Sequence, residues 1–319
     1  MPLSSNRWRL LSFIMILVMM GLVRQPVVEH FRQAKAGEVD TRVPAIRDFG
    51  LSLVDFEQIM RYLHFANNHD LDEKDKAAKV RPMLELFRQA CMKSWTPGRH
   101  AAVDEMMIRF KGRLGWRQYM RDKPIKFGLK IWGLCQSAVG YLMNFDLYTG
   151  RKPGGRPEKG LAQRVVLQLV GQLLEVWPSW QGAHLYMDNF YTSLTLLLSL
   201  WSIGVAACGT LRAKRKGMPD LDVNDDKGDR DDYDWKVLSN HKSKVIVGAW
   251  QDNKLTRFAT TIHGRGRVEH TRMQGKSKGG GEVTVQKPLA VKAYTKYMDG
   301  CDVADQRRSY YDIRVKVGG

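Results

Sequence analysis

Apolar residues recur with two different periods along this chain, and the change of period falls at His100. Before it the spacing is helical. Leu10 to Val23 is apolar except for Ser12 and Gly21. Ser52 is placed to cap a helix whose apolar positions Phe56, Ile59, Met60 and Leu63 follow the 3.6-residue period. The polar stretch 66–78 reads as a loop or a helix start. Val80, Leu84, Phe87 and Cys91 then mark a second amphipathic helix, ended by Thr96-Pro97-Gly98.

Beyond His100 the pattern alternates. Ala102, Asp104, Met106, Ile108 and Phe110 share one face of a strand predicted over 101–110, and the aspartate is the odd member of that face. Further strands are predicted at 127–136, 139–148, 184–188, 204–211, 244–251 and 255–262. A loop rich in Gly, Pro and Lys (150–160) leads into an apolar helix over 161–176, and another helix starts near Thr192 or Ser193. Gly279-Gly280-Gly281 reads as a flexible joint, and no internal repeat is present. The expected class is α/β: a helical N-terminal region (1–100), the first part of a mixed-sheet core (101–212), a β-rich insertion (213–290) and the end of the core (291–319).

A chain of 319 residues is long enough for about two domains, and 44% hydrophobic residues suffice for a core, which excludes global disorder. The formal charge of +18 suits a polyanion: DNA, RNA or an acidic membrane surface. It is unevenly spread. Eight aspartates between Asp220 and Asp234 face only Lys227 and Arg230, whereas twelve Lys/Arg from Lys242 to Lys296 face three acids. Solvated loop surface is the plain alternative for both runs.

Cys91, Cys135, Cys208 and Cys301 are far apart and form no CxxC, so a disulfide framework or zinc site is not expected and a reducing compartment fits better. His263 and His270 read as surface loop residues. At the N-terminus, Arg7, Arg9, the apolar run and Ala34/Ala36 imitate a secretory signal. The alanines lie too far past the run, charged residues intervene, and the run is short for a membrane span. A buried core helix is the preferred reading, with a membrane-anchored or secreted protein as the competing one.

The candidate chemistry lies in four aspartates. Asp104 stands on the first strand, Asp188 ends a later strand, and Asp302 and Asp305 share one side of a predicted helix at i and i+3. The ends of strands in open sheets commonly bind ligands. Carboxylates gathered there repel one another, and a divalent cation relieves the repulsion. Oxygen ligands from three chain positions suit magnesium, and a metal-held pair of oxygens can activate a nucleophile and stabilise a leaving oxyanion at a phosphodiester. Glu105 faces the other side of its strand. Each aspartate taken alone reads more readily as a cap or a surface ion-pair partner.

Six segments, in order, carry a resemblance: FIMILVMMGLVRQP, LSLVDFEQIMRYLHFANN, SWTPGRHAAVDEMMIRFKGR, KPIKFGLKIW, HLYMDNFYTS and KYMDGCDVADQ. Together they resemble the catalytic core of piggyBac-type transposases and their domesticated derivatives, over about residues 10–312. The resemblance implies a ribonuclease H-like fold interrupted by an insertion domain. It implies magnesium (or manganese) held by Asp104, Asp188 and Asp302, with Asp305 as an additional acidic residue. It further implies cleavage and rejoining of transposon ends, insertion at TTAA, a homodimer on DNA and a nuclear location, with no membrane and no small-molecule substrate. Asp299 and Cys301 depart from the usual glycine and valine. The chain reaches Gly319 where family members continue into further helices and often a zinc domain, and it has no long acidic N-terminal extension. An active enzyme and an inactive truncated or domesticated DNA-binding derivative are both consistent with that.

Two basic stretches suit DNA. Arg109, Lys111, Arg113, Arg117 and Lys126 belong to a run of eight Lys/Arg interleaved with Phe110, Trp116, Tyr119 and Phe127, and opposed only by Asp122. An ordinary basic hairpin is the equal alternative. Arg212, Lys214 and Arg215, beside Lys216, follow the 204–211 strand.

Overall fold

A computed structural model describes residues 5–23, 46–121, 123–150, 158–223, 231–240, 243–273 and 280–311. The chain divides into two compact units, one from residues 1–83 and 306–319 and the other from 84–305.

In the first unit, α1 (Ser5–Leu22) and α2 (Leu53–Tyr62) close a small core of Phe13, Ile16, Met19, Met20, Ile46, Leu51 and Phe56. The Phe13 and Phe56 rings meet at 5.1 Å. Ser52 caps α2 as its position predicts: its Oγ accepts the Asp55 N–H at 3.0 Å, and Asp55 Oδ2 accepts the Ser52 N–H at 3.2 Å. Such a reciprocal box satisfies two N–H groups that the helix leaves unpaired. The N-terminal apolar run is therefore a core helix on one face. On the other face Leu11, Met15, Val18 and Leu22 are exposed. No described helix is long and apolar enough to cross a membrane. Ala34 and Ala36 lie outside the described residues.

The second amphipathic helix expected from Val80, Leu84, Phe87 and Cys91 is α3 (Arg81–Lys93), most of which belongs to the second unit, and that unit is built on one large sheet. Its strands are β1 (His100–Arg109), β2 (Gln118–Tyr119), β3 (Phe127–Gln136), β4 (Tyr141–Tyr148), β5 (His184–Met187), β6 (Ala206–Thr210), β7 (Tyr233–Asn240), β8 (Ser243–Gln251) and β9 (Leu255–Thr260). They lie in the order β2-β3-β1-β5-β6-β9-β8-β7, with β4 also paired to β3. β1, β5 and β6 are parallel, and the remaining pairs are antiparallel. The strands predicted over 101–110, 127–136 and 184–188 are β1, β3 and β5.

One face of the sheet is covered by α4 (Leu161–Val176) and α5 (Leu194–Ser202). Val165, Val166, Leu169, Leu196, Leu197 and Leu200 bury against Ala101, Val103, Leu185 and Met187 there. Ser193 caps α5 through Leu196 N–H. Toward the other face lie α6 (Leu289–Tyr297), with Ala290 and Val291 packed near Tyr186 and Cys208, and α7 (Gly300–Tyr310). α7 sits very close to the sheet. A side chain on Gly300 would meet Ser137 Cα at 3.1 Å and Ala102 Cβ at 3.4 Å.

Four strands escape the periodicity argument. β7 begins inside the acidic run, where Tyr233, Trp235 and Val237 alternate with Asp234 and Lys236. The ribbon of β10 (Arg267–Met273) and β11 (Glu282–Pro288) pairs over its whole length but is polar on most positions. β2 is only two residues long. Strand 204–211 begins two residues late because Gly204, at φ +83°, makes the turn that enters it. Within 213–290, β7 to β9 extend the central sheet through the β6–β9 pair, while β10 and β11 form their own ribbon. The middle of the acidic run (224–230), Lys242, Gly279 and Asp122 lie outside the described residues.

Candidate carboxylate site

The parallel ladder between β1 and β5 ends at the pair Val103–Met187. The next residues along each strand are Asp104 and Asp188, so the two aspartates follow the last rung side by side. Pleating sends them to the face opposite Val103 and Met187, away from α4 and α5. On β3 the partner of Asp104 is Gly133, where a Cβ would fall 2.6 Å from Met106 Sδ.

α7 brings in the remaining two. Cys301 Sγ lies 3.6 Å from Ala102 O and 3.4 Å from Gly133 O, at the level of Asp104. The next residue is Asp302, in the first turn of α7, and Asp305 follows one turn later. Asp305 Oδ2 accepts the Met107 N–H at 3.2 Å, where β1 has run past the end of β5.

A residue not singled out by the sequence joins the pieces. Lys123 Nζ stands 3.5 Å from Asp104 Oδ2 and 3.4 Å from Asp302 Oδ1. Its charge is compensated by carboxylates from two elements far apart in sequence. Lys123 opens the KPIKFGLKIW segment, so its place was visible, but nothing in the sequence aims it at the aspartates.

The electrostatics follow from the burial. Asp104 is pushed up to about 6, chiefly by desolvation, against the pull of Lys123 and with further repulsion from Glu105 and Asp188. Asp188 is also raised by burial, although Phe190 N–H donates to its Oδ1 at 2.9 Å and opposes the shift. Burial alone would lower Lys123, but Asp104 and Asp302 outweigh it and the ammonium is held above its ordinary value. Glu105 lies across the strand, near Lys130 at 3.6 Å and bonded by the Tyr191 hydroxyl at 3.2 Å.

The loop after Asp188 is held by its surroundings. Thr192 is fully buried, and its hydroxyl donates to Asp188 O at 2.7 Å. Gly209 makes room for it: a Cβ there would fall 2.1 Å from Thr192 Oγ1 and 2.4 Å from Met187 O. Arg215 donates to Thr192 O and Asn189 O at 2.7 Å and to Phe190 O at 2.9 Å. Its guanidinium therefore clamps this loop. Arg212 Nε donates to Asn189 Oδ1 at 3.1 Å, and its charge favours the ionised form of Asp188.

The other cations predicted to meet DNA are placed as follows. Arg109, Lys111, Arg113 and Lys126 are exposed around β1–β3, and Lys214 is exposed after β6. Arg117 is exposed, donates to Lys111 O and Gly112 O, and lies over the Phe127 ring at 5.3 Å.

Four carboxylates thus reach one end of the sheet, as the sequence predicts, but they are not poised around a common point. Among the described residues no group of three or more His, Cys, Asp or Glu side chains is arranged to hold a metal ion. Lys123 stands between Asp104 and Asp302, Asp188 is turned to its own loop, and Asp305 to β1. The oxygen-only donor set is chemically suited to a hard divalent cation. The arrangement itself is the one neutralised by lysine.

A family model described as Transposase IS4 matches residues 4–317. The human PiggyBac transposable element-derived protein 3 is 33% identical over 268 residues, covering 82% of this chain and 43% of that protein. The human PiggyBac transposable element-derived protein 2 is 30% identical over 268 residues, covering 82% and 44%. The chain thus spans less than half the length of these two relatives. A solved piggyBac transposase, in a synaptic complex with hairpin DNA, superposes with a TM-score of 0.70 at 22% identity, covering 98% of this chain and 61% of the other. That likeness establishes the fold: a ribonuclease H-like mixed α/β core.

Proposed function

The chain belongs to the transposase IS4 family, in its piggyBac type, and on that premise we propose that it cleaves and rejoins DNA strands at transposon ends. The observation that carries this reading is the continuation of the β1–β5 ladder into Asp104 and Asp188, with Asp302 tied to Asp104 through Lys123. In the proposal Asp104, Asp188 and Asp302 hold magnesium or manganese, and Asp305 supports them. When bound, the ion supplies charge neutralisation at a phosphodiester and a nucleophile at neutral pH. Asp104, already near 6 through burial, is a carboxylate that gains from a cation beside it. Arg215 positions the Asp188 loop, and the exposed cations from Arg109 to Lys126, with Lys214, track phosphates.

The proposed assembly is a homodimer on DNA in the nucleus. The exposed α1 stripe of Leu11, Met15, Val18 and Leu22 repeats at helical spacing and suits a second copy of the chain. Light scattering on wild type and Met15→Glu/Val18→Glu tests it: dissociation in the variant supports the dimer, and an unchanged mass refutes this interface.

A non-catalytic DNA-binding derivative is the second reading, favoured by the lysine between Asp104 and Asp302. Metal-dependent nicking of end-containing DNA, compared between wild type and Asp188→Ala, separates the two. Nicking lost in the variant supports the enzyme. A folded wild type that binds DNA without nicking it supports the derivative.

A further inference from the structure

The β2–β3 hairpin carries a feature that strand cleavage itself does not use. Tyr119 and Phe127 are directly opposite each other across the pair, with ring centroids 4.7 Å apart and 42° between planes. They are 57% and 51% exposed, while Trp116 just before them is buried at 8%. The hairpin thus has an anchor of its own and leaves two large rings in water. Arg117 stacks its guanidinium 5.3 Å from the Phe127 ring centroid.

The pair also faces the right way. Phe127 lies six residues before Gly133 on β3, an even number, and Gly133 pairs with Asp104. Tyr119 and Phe127 therefore project from the same face of the sheet as Asp104. Along the strand the separation is about 20 Å at the rise of a β-strand, or several nucleotides of extended DNA. Lys123, in the loop between β2 and β3, links the same hairpin to Asp104 and Asp302.

We propose that Tyr119 and Phe127 form a stacking platform for an unpaired nucleobase of DNA held beside the carboxylate site. This rests on the DNA-processing reading above and names the form of DNA the site takes. Aromatic faces flanked by cations fit a base and its phosphate together. Stacking is sequence-tolerant, whereas a paired base keeps its faces inside the duplex. The surrounding charge, with Arg117, Lys126 and Lys111 exposed nearby, favours a polyanion over an apolar protein surface. Arg117 on Phe127 leaves the Tyr119 ring for the base, with a cation–π neighbour beside it.

The test uses a duplex with a short single-stranded flap carrying 2-aminopurine, and the same duplex fully paired. Wild type is expected to bind the flap duplex at least tenfold more tightly and to quench the 2-aminopurine. Tyr119→Ala/Phe127→Ala is expected to lose both the preference and the quench, with binding to the paired duplex and its salt dependence unchanged. Tyr119→Phe/Phe127→Tyr should restore both, because each exchange keeps an aromatic face for the base. Equal binding of both duplexes by wild type, or a preference retained in the alanine variant, overturns the platform while leaving DNA binding intact. If the alanine pair instead dissociates a dimer and keeps the flap preference, the rings belong to an interface and the proposal fails. A wild type that binds neither duplex overturns the DNA reading itself.

Discussion

The ammonium of Lys123 stands 3.5 Å from the Asp104 carboxylate, just past the last rung of the β1–β5 ladder. With Asp302 at 3.4 Å on its other side, it does in this structure what a cation would do there. A monovalent charge on a flexible stem neutralises two carboxylates without bringing the others to the same point.

Lys123 and a divalent ion are therefore expected to compete. Lys123→Met should tighten manganese binding on the order of tenfold, because the ion no longer displaces an ion pair. The same variant should melt at lower temperature without metal and gain more on adding it. Calorimetry and thermal melts of the two proteins check this; unchanged affinity would show that Lys123 does not contend for the site.

Two groups act in opposite directions on stability between pH 4 and 6.5. Asp104 is raised to about 6, so its contribution is present at low pH and is lost as pH rises through 6. His184 is lowered to about 4, mainly by burial and then by Arg99 and His100, so its contribution is present above 6.5 and is lost as pH falls toward 4. Asp104→Asn removes the first and leaves the second. Urea melts from pH 4.5 to 7 should then show stability climbing more steeply with pH in the variant than in wild type.

Gly209 has no room for a side chain. Its Cβ would fall 2.4 Å from a backbone oxygen, Met187 O, which cannot rotate away. Gly209→Ala is expected to cost roughly 2–3 kcal/mol and to loosen the Asp188 loop. A chemical denaturation midpoint within error of wild type would refute the packing argument.

Arg215 and Lys111 were predicted alike as DNA contacts, and the structure separates them. Arg215 is engaged by three loop carbonyls, whereas Lys111 is exposed. Lys111→Ala should lower the salt dependence of DNA binding by about one unit of slope. Arg215→Ala should lower the melting temperature and any nicking activity with a smaller change in slope. Binding titrations across a salt series decide between them.

The alternation over β1 and the short apolar run ending at Asp188 were legible because both are local signals. The cap at Ser52 was legible because its box is local. β7 was hidden by the acidic run in which it begins, and the β10–β11 ribbon by its largely polar sequence. The four acids were found by type and local placement. Lys123 was not, because its role depends on a loop returning across the sheet, which no local period encodes. Tyr119 and Phe127 were visible only as aromatic punctuation in a basic run; their common face with Asp104 needed the register.

The β1–β5 register has a consequence for how this protein tolerates change. Val103 and Met187 are buried on one side of the ladder, and Asp104 and Asp188 follow them on the other. Sliding either strand by a single residue would send an acid into the oily layer and a methionine or valine into the site. The apolar core is thus a proofreader of the chemistry: a chain that packs correctly at Val103 and Met187 has already aligned its acids, and decay of one cannot go unnoticed by the other.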